Sequence, residues 1–131
     1  MIEPADHSIL VVDDHDANRY AIARALRAAG FRTVEAAAGA QALELAGYVS
    51  AVVLDVHLPD LHGLEVCRLL RSSPATANLP VVQISAVYLD EKDRLAAERA
   101  GADAYMTAPV DFAALAQKLH ELIAARASGA R

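Results

Sequence analysis

The chain has 131 residues, 55% of them hydrophobic and 22% charged, the length of one domain and too short for a catalytic domain joined to a separate output domain. Its 12 lysines and arginines against 17 aspartates and glutamates leave a net charge of −5, the wrong sign for gripping nucleic acid through its phosphates. The lone cysteine, Cys67, excludes an internal disulfide, the apolar runs are far shorter than the roughly 20 residues of a bilayer span, and no charged, apolar leader opens the chain. The expectation is a soluble cytoplasmic protein that touches neither nucleic acid nor membrane.

Short β-branched runs alternate with segments of helical period, which predicts an α/β fold around a parallel sheet. The strands are expected at 8–12, 32–35, 51–54, 80–84 and 104–106. The first, third and fourth are almost wholly apolar, as befits strands covered on both faces, whereas Arg32 and Glu35 mark the second as an edge. Helical stripes follow: Ile22, Leu26 and Ala29; then Leu64, Cys67 and Leu70; then Phe112, Leu115, Leu119, Leu122 and Ile123. Gly30 should stop the first helix and Asp111 cap the last. Cys67, on an apolar stripe, reads as a buried core thiol without a role. The domain fills 1–131 with its core at about 7–126, and 127–131 is small and polar enough to fray.

Right-handed crossovers and the common strand order 2-1-3-4-5 place ligands beyond the carboxyl ends of the strands, where the winding reverses. The strand exits carry Asp13 and Asp14, Asp55, Ser85 and Ala86, and Thr107-Ala108-Pro109. Strands one and three adjoin at the switch point, which gathers Asp13, Asp14 and Asp55 in one crevice. Singly, each reads as a helix cap or an Asx turn. Together they repel by several kcal/mol at an effective dielectric of about 20 unless a proton or cation intervenes. Oxygen donors with room for water suit Mg²⁺. His15, His57 and His62 fall in the same loops; they read as solvated histidines, with a softer metal as the minor alternative.

Nothing glycine-rich follows the first strand, so nucleotide cradles fail, and no serine or cysteine sits in a nucleophile elbow. The remaining nucleophile is a carboxylate: Asp55, central and polarised by a metal, is placed to attack a phosphoryl group. The fourth helix, with Glu91, Lys92, Asp93, Arg94, Glu98 and Arg99 flanked by Tyr88 and Tyr105, reads equally as a partner face or a solvated helix. Arg19 and Tyr20, at the exposed start of the first helix, suit docking of a partner helix.

Over its full length the chain resembles the receiver domain of bacterial two-component response regulators. The likeness rests on Ile9-Leu10-Val11-Val12-Asp13-Asp14, on residues 53–63 around Asp55 and Pro59-Asp60, on Ser85-Ala86, and on residues 101–109 ending in Thr107-Ala108-Pro109. The resemblance implies a flavodoxin-like, CheY-like sheet of order 2-1-3-4-5 with helices on both faces. It implies that Asp55 accepts a phosphoryl group from a histidine kinase or histidine phosphotransfer protein, and that Asp13, Asp14 and Asp55 hold Mg²⁺ with the Val56 backbone carbonyl. It implies a switch formed by Ser85 and Tyr105, a cis Ala108–Pro109 bond, and a homodimer face running from the fourth to the fifth helix. Such a protein is a phosphoacceptor, not an enzyme beyond slow self-dephosphorylation. The family expects lysine where Ala108 stands, so the implied behaviour is phosphorylation with weakened switching. A phosphorylation-independent adaptor is the alternative. A small phosphatase of the haloacid dehalogenase type is a third reading, opposed by His57 at the place of its general acid and by the lack of room for a substrate cap.

Overall fold

The computed structural model describes residues 2–86 and 90–127. Along them β1 (Ser8–Val12), α1 (Asp16–Ala28), β2 (Arg32–Ala36), α2 (Gly39–Leu45), β3 (Ala51–Asp55), α3 (Gly63–Ser72), β4 (Val81–Ser85), α4 (Glu91–Ala100), β5 (Ala104–Thr107) and α5 (Phe112–Ala127) follow one another. All four strand pairs are parallel, in the order β2-β1-β3-β4-β5, so β2 is an edge as its charges require. Four strands run one residue further toward the site than the apolar pattern marks, because the parallel ladder pairs Val12 with Ala36, Asp55 with Ile84, and Ser85 with Thr107. Pro80, which has no N–H to donate, stays outside β4, and its carbonyl accepts Val52 N–H at 2.9 Å.

The continuous apolar runs are explained by cover on both faces. Ile9, Val11, Val53, Val82 and Ile84 point toward Ile22 and Leu26 of α1 and Leu115, Leu119 and Ile123 of α5. Their neighbours in the pleat, Leu10, Val12, Val52, Leu54 and Val81, point toward Ala42 of α2 and Val66, Cys67 and Leu70 of α3. Each such burial contributes about 1.5–3 kcal/mol. Cys67 is in the core as expected. Two residues assigned to core stripes are not there: Ala29 is the C-cap of α1 and exposed, and Phe112 opens α5 with 41% of its surface exposed, overhanging the strand exits. Gly30 follows the C-cap with φ of 102°, where a side chain would be strained. Asp111 Oδ1 accepts Ala114 N–H at 3.1 Å and so caps α5. Ala127, assigned to the tail, still belongs to α5; 128–131 and Tyr88 lie outside the described residues.

A knot around Arg71 ties the opposite end of the sheet. Its guanidinium donates to the Gly101 carbonyl at 2.8 and 2.9 Å, to the Leu79 carbonyl at 2.7 Å and to Asp103 Oδ2 at 3.0 Å. The same Asp103 oxygen accepts Val81 N–H at 2.8 Å. One side chain therefore joins the end of α3, the approach to β4, the end of α4 and the start of β5. Among the described residues no helix is long and apolar enough to cross a membrane.

Candidate functional site

At the exit of β1 the chain is clamped before it enters α1. Asp13 Oδ1 accepts the His15 N–H at 2.8 Å, and Arg19 Nη1 donates to the Asp13 carbonyl at 2.8 Å. Arg19 also meets Asp16 Oδ1 at 2.7 Å and Glu35 Oε1 at 3.1 Å. The arginine expected to be available for docking is thus committed to α1, β1 and β2, while Tyr20 beside it is 54% exposed. At the exit of β3, Val56 N–H donates to the Ile84 carbonyl at 3.0 Å and His57 N–H to Asp55 Oδ1 at 3.3 Å, turning the half-buried Asp55 carboxylate toward β1.

The crevice forms as expected from the switch point. Asp13, Asp14, Asp55 and His15 each offer one donor atom, all within 4.8 Å of one another. Burial raises the Asp55 carboxyl above its ordinary range, and the charges of Asp13 and Asp14 push the same way against the His57 N–H. This donor set, carboxylate-rich and partly open to water, fits a hard divalent cation. The Val56 carbonyl, expected as a ligand, accepts Gly63 N–H at 2.7 Å, which commits one of its lone pairs to α3. Of the three loop histidines, His15 alone brings a ring nitrogen within 4.8 Å of the carboxylate oxygens, and His57 lines the adjoining cleft. His57 and His62 face each other edge to face with ring centroids 5.6 Å apart, and His62 Nδ1 accepts Leu64 N–H at 3.2 Å as the cap of α3.

On the other flank, Ser85 is fully buried at the end of β4 and its carbonyl accepts Ala108 N–H at 2.7 Å. Burial raises the Tyr105 hydroxyl above the usual phenol range, while a side-chain hydrogen bond with Ser85 lowers it, so the two expected switch residues are in contact. The Ala108–Pro109 bond is cis. Beside the carboxylates opens a cleft of about 480 Å³ whose apolar lining includes Ile22, Ile84, Ala108, Val110 and Phe112; neither lysine nor arginine lines it among the described residues.

Several residues around the site have structural roles that apolar periodicity does not reveal. Asp60, in the loop after β3, accepts Gly39 N–H at 2.8 Å and Ala40 N–H at 2.9 Å, capping α2 from across the molecule. Those amide bonds hold its carboxyl below the ordinary range. Gly63 packs so closely on β3 that a Cβ would be driven into the Asp55 carbonyl and lie 2.7 Å from Val56 Cα. The buried Gln83 amide donates to the Gly63 carbonyl at 3.1 Å, tying α3 to β4 as well. The charged side chains of α4 are exposed, and the helix buries only Ala97 and Ala100.

The family model described as the response regulator receiver domain matches residues 9–120. The sensory/regulatory protein RpfC of Xanthomonas campestris pv. campestris is 36% identical over 118 residues, covering 87% of this chain and 16% of RpfC. The response regulator MprA of Mycobacterium sp. strain KMS is 39% identical over 117 residues, covering 88% of this chain and 50% of MprA. Among solved structures, the receiver domain of the sensor histidine kinase PA1611 from Pseudomonas aeruginosa PAO1, with a magnesium ion coordinated in its active site cleft, superposes with a TM-score of 0.81 at 30% identity, covering 90% of this chain and 98% of that one. With the acidic crevice and the 2-1-3-4-5 sheet, these matches place the chain in the response regulator receiver domain family of two-component signalling. The chain spans half or less of the length of these two curated relatives.

Proposed function

We propose that the chain is a phosphoacceptor: an Asp55 carboxylate oxygen takes a phosphoryl group from a phosphohistidine of a kinase or phosphotransfer protein. The P–O bond to Asp55 forms as the P–N bond breaks, and the donor imidazole leaves with the electron pair and takes up a proton. The observation that carries this reading is the half-buried Asp55 carboxylate, held by the His57 N–H at the strand exit with the donor atoms of Asp13 and Asp14 within 4.8 Å. Bound Mg²⁺ supplies neutralisation of the clustered anionic oxygens. Asp13, Asp14 and Asp55 would hold it, with the free lone pair of the Val56 carbonyl as the further oxygen, and the magnesium in the PA1611 receiver supports that assignment. Ser85 and Tyr105 receive the signal, since a side-chain hydrogen bond joins them and Ser85 lies on β4 beside the strand of Asp55, with Tyr105 on β5 one strand further out. The modification is stoichiometric, one group per chain, and takes place in the cytoplasm. The face from α4 to α5 is the candidate surface for a second copy or an output partner.

Intact-mass measurement after acetyl phosphate treatment tests this. One adduct of a single phosphoryl group is expected, lost with EDTA and in Asp55→Asn; an adduct that persists in that variant overturns the assignment. Ala108, which leaves the cleft without a lysine or arginine among its described lining, favours a second reading in which the receiver docks partners independently of phosphorylation. Equal partner binding by wild type and Asp55→Asn, with and without acetyl phosphate, selects that reading.

A further inference from the structure

Gln83 sits in the middle of β4 with none of its surface exposed, in register with Leu54 of β3 and Tyr105 of β5. Its Nε2 donates to the Gly63 carbonyl at 3.1 Å, and because a carbonyl only accepts, that bond fixes which end of the amide faces α3. Oε1 is left buried with no hydrogen-bond partner among the described residues. As a stabilising device the amide is weak: one neutral hydrogen bond of modest net value is set against a carbonyl oxygen removed from water without a replacement donor. An apolar side chain of similar volume would hold the sheet at least as well, so the amide calls for a reason other than stability.

That reason lies in what Gly63 touches. Its N–H donates to the Val56 carbonyl at 2.7 Å, and it lies so close to the Asp55 carbonyl that no Cβ fits between them. Val56 in turn gives its N–H to the Ile84 carbonyl at 3.0 Å, and Ile84 follows Gln83 in β4. The three hydrogen bonds close a ring that runs from Ile84 to Val56, from Val56 to Gly63, and from Gly63 back to β4 at Gln83. Two links join backbone to backbone; the third is made by the Gln83 side chain and is the one that the identity of a residue decides. We propose that Gln83 is a positioning residue for phosphoryl transfer, holding the first turn of α3 against the exit of β3 so that the Asp55 carboxylate and the Val56 carbonyl keep the orientation the transfer requires. This rests on reading Asp55 as the phosphoacceptor and adds to it the residue that keeps the acceptor in place.

The test compares wild type with Gln83→Met and Gln83→Leu, which nearly keep the volume and lose the donor. Urea midpoints of the metal-free variants should equal or exceed that of wild type. In native-state hydrogen exchange the Gly63 amide of the variants should exchange about tenfold faster, and the core amides of β1 and β3 no faster, because only the ring has opened. The dependence of phosphorylation on acetyl phosphate concentration, with Mg²⁺ saturating for each protein, should show a maximal rate about tenfold lower and a half-saturating concentration within about twofold of wild type, since alignment is lost and donor binding is not. Lower midpoints in both variants, or core amides that speed up in step with Gly63, reduce Gln83 to a structural bond and overturn the proposal. An unchanged maximal rate, or a loss confined to the half-saturating concentration, overturns it too and leaves Asp55 as the acceptor. A wild type that takes no phosphoryl group removes the phosphoacceptor reading and this proposal with it.

Discussion

Placing a lysine at position 108 should strengthen the coupling of Asp55 to the rest of the domain and weaken its hold on metal. The cleft of about 480 Å³ is lined by Asp13 and Asp55 as well as by Ile22, Ile84 and Val110, so it offers apolar cover for a lysine stem and two carboxylates for its head. An ammonium about 4–5 Å from a carboxylate gains about 3–4 kcal/mol at an effective dielectric of 20; the open mouth of the cleft reduces that to about 1–2 kcal/mol. This stabilisation of the metal-free protein opposes cation binding, so Ala108→Lys should bind Mg²⁺ about tenfold more weakly. With a phosphoryl group on Asp55, the same ammonium makes one charge-assisted hydrogen bond of about 1.5–3 kcal/mol, enough to move a two-state equilibrium about 10- to 150-fold if it forms in one state only. The assay is the amide NMR spectrum with and without beryllofluoride. Wild-type resonances of Ser85, Tyr105 and α4 should move part of the way, and those of Ala108→Lys further along the same line. A wild type that already makes the full change, with nothing added by the lysine, refutes the reasoning at this position.

Arg71→Ala should cost about 3–5 kcal/mol in urea unfolding, because it removes the cationic partner of Asp103, whose side chain is only 10% exposed, and the guanidinium bonds to the Leu79 and Gly101 carbonyls; a loss under about 1 kcal/mol contradicts the knot. Asp60→Asn should flatten the acid limb of the thermal stability profile. The folded carboxyl titrates below its unfolded value, so its contribution is present above about pH 4 and disappears as the pH falls through the folded value; parallel profiles for wild type and variant defeat this. Asp55→Asn should raise metal-free stability at neutral pH by about 1–2 kcal/mol, since it removes a half-buried charge from two like charges within 4.8 Å, and Mg²⁺ should erase the difference by stabilising wild type alone. A variant no more stable than wild type in EDTA shows that the repulsion is already relieved.

The site's principal carboxylates were legible because each stands at the end of an apolar run, and strand order alone then brings Asp13, Asp14 and Asp55 together. The pleat and the helical period likewise marked Ile22, Leu26, Leu115, Leu119 and Ile123 as core. What the pattern misassigned lies at helix ends: Ala29 and Phe112 share the spacing of their stripes, but periodicity carries no information on where a helix begins or on what its first turn overhangs. Asp60 and Arg71 were illegible for another reason. Their partners are backbone groups about 20 to 30 residues away in the chain, at Gly39 and Gly101, and a backbone amide or carbonyl has no letter in a sequence. The histidines divide by the same logic, since only folding decides that His15 turns into the crevice while His57 and His62 turn toward each other.

The knot at Arg71 also sets the mechanics of α4. That helix is fastened at its carboxyl end, where Gly101 is held by Arg71 and where its only buried residues, Ala97 and Ala100, are found, while Glu91 to Arg94 are exposed. It is a lever with its fulcrum at one end. Its ten residues make an arm of about 15 Å, so a tilt of only about 10° about Gly101 sweeps the amino end through about 2.6 Å while the fulcrum stays packed. On the opposite side of β4 no such freedom exists, because Gly63 is pressed onto the Asp55 backbone and α3 is bonded to both Val56 and Gln83. Strain arising at Asp55 therefore meets a rigid abutment on one side and a long, lightly loaded arm on the other.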